Sequence, residues 1–154
     1  MGDFDESLAA NTRTASPPDP EPLVQKIAAA VADLVWVSET DAPFDVVRWP
    51  DSFGESTQEL IHQERFLQQV QLPPETPVEM IDLETFLAPT APQPWHSEAE
   101  QAIAVRFQTL GNLLSETLEE IQVFRCGEIE LEIYIVGHTP EGHWIALHTS
   151  AVET

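Results

Sequence analysis

Three glutamates alternate with apolar residues in the last third of the chain, at Glu128, Glu130 and Glu132. This alternation places all three carboxylates on one face of a predicted β-strand. General acid–base catalysis by two carboxyl groups requires two environments that separate their pKa values, and like neighbours on one exposed face do not provide them. We therefore interpret the glutamates as a solvated strand face, with a patch for a cation or a basic partner as the alternative.

The histidines and the single cysteine form no recognisable metal or nucleophile pattern. His138 and His143 are separated by four residues, a spacing that fits neither the HExxH zinc helix nor a site with paired cysteines. Cys126 ends a predicted strand, where a small buried side chain is the expected role rather than a nucleophile. Phosphate-binding glycine loops and the Gly-x-Ser-x-Gly motif do not occur in the sequence. We therefore predict neither an enzyme nor a cofactor.

Acidic residues far outnumber basic ones, with 27 Asp and Glu against 6 Lys and Arg and a formal net charge of -21. Such a charge repels phosphate backbones and anionic membrane surfaces, so we expect no direct binding to nucleic acid or membranes. The same charge favours encounter with cationic protein surfaces. Because solubility or adaptation to salt also explains an acidic surface, the charge alone does not identify a partner.

The sequence contains no evident targeting or membrane segment. Its N-terminal stretch lacks the apolar segment of a signal peptide and the arginine-rich character of a transit peptide. The longest apolar run, Ile27–Val37, is interrupted by Asp33 and is too short to span a bilayer. We expect a soluble, cytoplasmic protein that is a monomer when free.

The order of polar and apolar stretches predicts one folded domain, residues 21–154, preceded by a flexible, acidic and proline-rich arm, residues 1–20. Apolar residues spaced by three and four after Pro22 predict a first helix. The predicted elements that follow are a strand over 44–49, a helix over 56–71 and a strand leading into a helical turn over 78–87.

The sequence SEAE predicts the start of a long helix, because the Ser97 hydroxyl can accept a first-turn N–H while Glu100 reaches back to the N-cap. Apolar residues then recur at spacings of three and four and predict a buried face. This face consists of Ile103, Phe107, Leu110, Leu114, Leu118 and Ile121. Gly111 interrupts it, and we interpret the glycine as a point where another backbone packs closely.

After residue 128 the apolar period changes to two and predicts a strand. Its buried side consists of Ile129, Leu131, Ile133 and Ile135. The sequence GHTPEGH predicts a turn, because proline fixes and glycine frees the backbone there, and WIALHTSAV returns as the partner strand. A C-terminal hairpin preceded by helices predicts the α+β class, with a mainly antiparallel sheet packed by helices.

Two irregular stretches carry residues suited to contact a partner. In SETDAPFDVVRW, which begins at Ser38, the acids Glu39 and Asp41 precede a proline. In PQPW, Trp95 lies in a proline-rich segment, where a large aromatic side chain can anchor an interface. The structural alternatives are a solvated loop acid for Glu39 and a core position for Trp95.

Taken together, these segments resemble the cyanobacterial nuclease A inhibitors. SETDAPFDVVRW is similar to that family's S-E-x-[DE]-x-P-F-[DE]-V block, and GEIELEIYIVGHTPEGHWIALHTSAVET is similar to its ending, which closes on V-E-T. The second pattern combines a strand, a turn and a terminus and is the more specific. The similarity covers most of the chain from the first predicted helix onward.

The resemblance implies an α/β/α sandwich that inhibits a magnesium-dependent, sugar-non-specific endonuclease of the ββα-metal type by plugging its active site. It implies that Thr154 reaches the metal of the nuclease, the one metal contact expected, and that Glu39 and Trp95 also contact the nuclease. Asp41 and Glu153, which lie in the same motifs, are predicted to join this surface. A plug of this kind would leave no room for a tail beyond Thr154.

Two departures from the family pattern keep a second hypothesis open. Pro94 stands where the family's best-known form has an aspartate before the tryptophan, and the segment over 55–76 is longer and aligns poorly. The alternative function is an acidic protein-interaction module that uses the same scaffold to bind a different basic partner.

Overall fold

The structure, a computed structural model, describes residues 21–49 and 63–153. The predicted N-terminal arm, the first half of the helix predicted over 56–71, and Thr154 lie outside the described residues. In the described part the chain forms four α-helices and seven strands. In chain order the elements are α1 (Glu21–Val31), β1 (Val35–Val37), β2 (Asp41–Pro43), β3 (Asp45–Arg48), α2 (Gln63–Gln69), β4 (Val78–Ile81), α3 (Leu83–Leu87), a short 3-10 turn (Ala88–Thr90), α4 (Glu98–Thr117), β5 (Glu119–Cys126), β6 (Glu130–His138) and β7 (Trp144–Val152).

Five of these strands form one sheet in the order β3-β7-β6-β5-β4, and β1 pairs with β2 in a second, two-stranded sheet. Every strand pairing in the described ranges is antiparallel. The β6–β7 hairpin forms as predicted, with Ile135 opposite Leu147. Its turn is closed by hydrogen bonds from the Thr139 N–H to the His143 carbonyl and from the Gly142 N–H to the Thr139 carbonyl, both 2.9 Å.

Successive residues of the central strands bury their side chains on opposite faces of the sheet. On one face, Ile133 and Ile135 belong to a core shared with α1, α3 and α4. On the other face, Val136 belongs to a core shared with α2, where Phe66 stacks on Phe124 with ring centroids 3.9 Å apart. Helices therefore cover both faces of an antiparallel sheet, and the α+β prediction of an α/β/α sandwich is confirmed.

The start of the long helix is confirmed, but its end is not where the apolar spacing predicts it. The Ser97 N–H donates to Glu100 Oε1 at 2.8 Å and the Glu100 N–H donates to Ser97 Oγ at 3.1 Å, which completes the capping box. Leu118 caps the C-terminus of the helix, and Ile121 belongs to β5. The spacing misleads because both side chains pack against the same core, so the apolar pattern continues while the backbone becomes extended.

The buried face of α4 is also rotated from the predicted one. Ile103 is 51% exposed, whereas its neighbour Ala104 is buried together with Phe107. Near the middle of the helix, a Cβ on Gly111 would lie 3.0 Å from Leu87 Cδ1. The close neighbour of this glycine is therefore the side chain of Leu87, rather than the backbone that the sequence suggested.

The glutamate ladder differs from its prediction in two respects. Strand β6 begins only at Glu130, so Ile129 precedes the strand and is exposed rather than buried. Glu132 is half-buried, and its Oε1 lies 2.5 Å from His148 Nε2 on the neighbouring strand. The ladder is thus not a uniformly solvated row of carboxylates, because one member forms a cross-strand ion pair when His148 is protonated.

Two glycines with positive φ allow a test of the β5–β6 turn. Gly127 has φ 112° and Gly142 has φ 96°, a region that favours glycine over residues with a Cβ. A Cβ at Gly127 would lie 2.4 Å from the Glu130 carbonyl oxygen, whereas a Cβ at Gly142 would meet nothing within 4 Å. We expect Gly142→Ala to lower the free energy of unfolding by about 1–2 kcal/mol and Gly127→Ala to lower it clearly further.

Chemical denaturation of both variants measures this difference, and Gly142→Ala serves as the control for the φ effect. Equal losses in the two variants would contradict the steric account of Gly127.

Candidate functional site

A tight loop between β1 and β2 presents the first predicted contact residue. The Ser38 N–H and hydroxyl both donate to the Thr40 carbonyl, at 2.9 and 3.0 Å. This pairing turns the chain sharply after Val37 and directs the residues at its tip outward, so Glu39 is exposed. Asp41, which opens β2 opposite Val37, is exposed as well. The loop therefore carries two surface acids on a short, hydrogen-bonded frame.

The same loop is joined directly to the end of β7. The Glu39 N–H donates to the Val152 carbonyl at 3.2 Å, and the Val152 N–H donates to Ser38 Oγ at 3.0 Å. Three residues earlier in β7, the buried Thr149 hydroxyl donates to the Ala42 carbonyl of β2 at 3.3 Å. Two segments that are distant in sequence are thus held together, and the structure places Glu39 beside the residues that lead to Thr154.

Glu153 is held at two points, its backbone N–H and its carboxylate. Its N–H donates to the Ile129 carbonyl at 2.9 Å. Its Oε2 accepts a bond of 2.6 Å from Arg125 Nη2, and Arg125 Nη1 donates to Glu79 Oε1 at 2.9 Å. Arg125 is thus bonded to two carboxylates, and it is 23% exposed compared with 48% for Glu153. Since ion pairs this close to solvent add little stability, the main effect is to fix the orientation of Glu153.

Arg125 is a residue that the sequence did not single out for any role. Its position becomes meaningful only once β4 is known to pair with β5, because Glu79 then lies directly opposite it. The signal available in the sequence was the scarcity of basic residues, with only 6 in the chain. A cation placed between two acids of so acidic a protein is a candidate for a positioning role.

Trp95 is presented on a separate turn just before α4, and its side chain is 76% exposed. The turn is closed by a bond of 3.1 Å from the Gln93 N–H to His96 Nδ1 and another of 3.1 Å from the His96 N–H to the Gln93 carbonyl. The Gln101 side chain also donates to that carbonyl, at 2.8 Å. A core role for Trp95 is therefore wrong, and the indole lies on a braced surface turn.

An apolar groove separates this turn from the β1–β2 loop. The groove has a volume of about 320 Å³ and is lined by Trp36 and Val37 of β1, by His96, and by Glu100, Ile103 and Phe107 of α4. Its floor is rigid, because Trp36 stacks on Phe86 with centroids 4.3 Å apart and meets the edge of Phe107 at 6.3 Å. The bonds from the Ser97 backbone and hydroxyl lower the pKa of Glu100, so its carboxylate is ionised at neutral pH.

Neither a cluster of metal-binding side chains nor a reactive thiol is found among the described residues. Within residues 21–49 and 63–153, no group of three or more His, Cys, Asp or Glu side chains could hold a metal ion. Burial, followed by the charge of Glu132, raises the pKa of Cys126 to about 12, which keeps its thiol protonated and unreactive.

No helix within residues 21–49 and 63–153 is long and apolar enough to cross a membrane.

The predicted contact residues therefore form two groups flanking one groove. Glu39, Asp41 and Glu153 lie around the junction of the β1–β2 loop with β7, and Trp95 lies on the opposite side next to His96. Thr154 lies outside the described residues, directly after Glu153. The junction and the groove are the parts of the surface that sequence reasoning did not locate.

Comparison with known protein families identifies the group to which the sequence belongs. The sequence model of the nuclease A inhibitor-like (NuiA) family matches residues 21–154, which include both predicted contact loops and every described element. No individual curated protein matches the chain. Because the match extends over most of the sequence, the chain belongs to the family of nuclease A inhibitor-like proteins.

Proposed function

We propose that this protein inhibits a magnesium-dependent, sugar-non-specific endonuclease by covering its active site with the surface formed by the β1–β2 loop, the end of β7 and Trp95. Membership of the nuclease A inhibitor-like family supports the nuclease as the class of target. The observation that carries the proposal is the pair of hydrogen bonds between Ser38 and Glu39 and the backbone of Val152. These bonds make one continuous surface of two sequence-distant motifs.

The chemistry of this surface matches the needs of such a target. A nuclease binds phosphate with cationic side chains and Mg²⁺, and Mg²⁺ prefers oxygen ligands. A carboxylate can replace a phosphate as the partner of an arginine, in a charge-assisted and often bidentate bond. In the proposed complex Glu39 makes this bond, Asp41 adds a second negative charge, and Thr154 supplies an oxygen to the metal of the nuclease, as the family resemblance implies.

Glu153 has a different role in this proposal from the direct contact that its motif suggested. Its carboxylate is bonded to Arg125, so releasing it towards the nuclease would leave Arg125 with one partner fewer. Glu153 is instead held at its backbone and side chain before binding. A Glu153 that is already ordered in the free protein has less conformational entropy to lose when the adjoining Thr154 is bound in the complex. We assign Arg125 and Glu153 as positioning residues for Thr154.

Glu39→Gln tests the direct contact. Loss of one charge-assisted hydrogen bond, about 1.5–3 kcal/mol, should raise the inhibition constant about 10- to 100-fold. The assay titrates each inhibitor against a magnesium-dependent, sugar-non-specific endonuclease cleaving plasmid DNA. Glu116→Gln is the matched control, because it makes the same chemical change at an exposed position in the last turn of α4, far from the loop.

Wild-type protein that leaves cleavage unchanged at large excess would overturn the proposed function, and would direct the search to another basic partner. If the wild type inhibits and the two variants weaken inhibition equally, the effect of Glu39 is one of net charge alone, and its role as a specific contact is wrong.

Arg125→Gln tests the positioning role. We expect inhibition to weaken about tenfold, a change of about 1.4 kcal/mol, while the free energy of unfolding falls by about 1 kcal/mol or less, because exposed ion pairs stabilise little. Glu79→Gln is the control, since it leaves the Arg125–Glu153 bond in place and should weaken inhibition less.

A double-mutant cycle with Glu153→Gln separates positioning from direct contact. If Glu153 acts through Arg125, the second substitution adds no further loss in the Arg125→Gln background. Fully additive losses would show that Glu153 contacts the nuclease itself and would refute the assignment.

A further inference from the structure

The groove lies between the two groups of proposed contact residues. One wall ends at Val37, which directly precedes the Ser38–Thr40 loop that carries Glu39. The opposite wall includes His96, whose ring packs edge-on against that of Trp95 at a centroid distance of 6.0 Å. A partner surface that touches both Glu39 and Trp95 must therefore pass over the mouth of the groove. The groove is then either filled by the partner or buried as a void.

The groove is suited to an apolar side chain. Trp36 and Phe107 form its interior, and Val37 and Ile103 are 69% and 51% exposed at its edge. Scattered exposed apolar residues are ordinary, but these two border one concavity beside an exposed tryptophan. Apolar cavities hold water poorly, so covering this one without filling it would forfeit contacts. Apolar anchors in such pockets carry a large share of the binding energy at protein interfaces.

The charges around the groove indicate what kind of partner surface would carry the apolar side chain that fills it. Asp33 and Glu100 both line it, and the bonds from Ser97 keep Glu100 ionised. The opening is thus apolar within and negative at its borders. An apolar side chain carried by a basic surface fits both features, whereas the same side chain on an acidic surface would meet like charges.

The walls of the groove are fixed relative to each other. Arg106 of α4 donates to the carbonyls of Ala30 and Ala32 at the end of α1, immediately before Asp33 and the start of β1. Stacking of Trp36 on Phe86 then fixes β1 against α3. A groove held in this way is largely formed before binding, which lowers the cost of inserting a side chain.

We propose that this groove receives an aliphatic or aromatic side chain from the nuclease, carried on a basic part of its surface so that a cation faces Glu100 and Asp33. The inference rests on the proposed function and adds the chemistry of the partner at that site. It makes Ile103 and Val37 contact residues in addition to the charged loop and Trp95.

Helix α4 offers a matched pair of variants to test this. Ile103 and Val105 are each 51% exposed, and Ile103 lines the groove whereas Val105 is not among its lining residues. Ile103→Asp and Val105→Asp each add one negative charge to the same helix. We expect Ile103→Asp to raise the inhibition constant about 30-fold, the loss typical of an interface hot spot, and Val105→Asp to leave it within about twofold.

Thermal unfolding followed by circular dichroism checks that both variants remain folded. If either aspartate destabilises the fold, the pair Ile103→Ser and Val105→Ser makes the same comparison without the charge, with the same order expected. Val37→Ser, on the opposite wall, should weaken inhibition in the same direction as Ile103→Ser.

The outcomes separate this inference from the proposed function. Wild-type protein that inhibits, together with Ile103 variants that inhibit equally well, overturns the groove contact and leaves the inhibitor role intact. Wild-type protein that does not inhibit overturns both. Analytical ultracentrifugation of the free protein tests whether a second copy of the chain fills the groove instead. A wild-type dimer that Ile103→Asp converts to a monomer would assign the groove to that second copy and overturn the proposal.

Discussion

Strand β7 is the element on which both the core and the candidate site depend. It pairs with β6 along its length and with β3 on its other side. Its alternate side chains enter both cores, Leu147 on one face and Ala146 on the other. At its end the backbone of Val152 bonds to the Ser38–Glu39 loop. A one-residue shift in register would move every side chain of this strand to the opposite face, into a core packed around different residues, so the loop is fixed by the core itself.

Two of the basic residues, Arg106 and Arg125, hold this arrangement together. Arg106 bonds to the last carbonyls of α1 and so fixes the start of β1, and Arg125 is bonded to Glu79 and Glu153. Both arginines bond within the molecule, and the chain as a whole keeps a net charge of -21. A field of that sign would speed encounter with the proposed cationic partner, and the fixed loop would set the geometry of the contact.

Local patterns in the sequence predicted the local structure, and errors arose where tertiary pairing decided the outcome. The capping box at Ser97 was predicted because all its atoms lie within four residues. Ile121 was misassigned because a residue that packs on the same core satisfies helical spacing even when it belongs to a strand. Exposure of Glu39 was expected under both of its alternatives and exposure of Trp95 under one of two, but the groove between them was not predicted. Nor was the bond between Ser38 and Val152, since it depends on how two sheets meet.

The departure at Pro94 bears on how such a surface selects its target. The best-known form of the family has an aspartate before the tryptophan, whereas proline carries no charge, has no N–H donor and fixes φ. In the proposed complex, recognition around Trp95 then depends less on charge and more on the shape of the braced turn and the adjoining groove. A diffuse negative field attracts basic proteins in general, so net charge by itself adds association rate without choosing among them. In the proposed complex, partners that lack a side chain to fill the groove would lose its contacts, and this difference in affinity would supply discrimination that net charge alone does not.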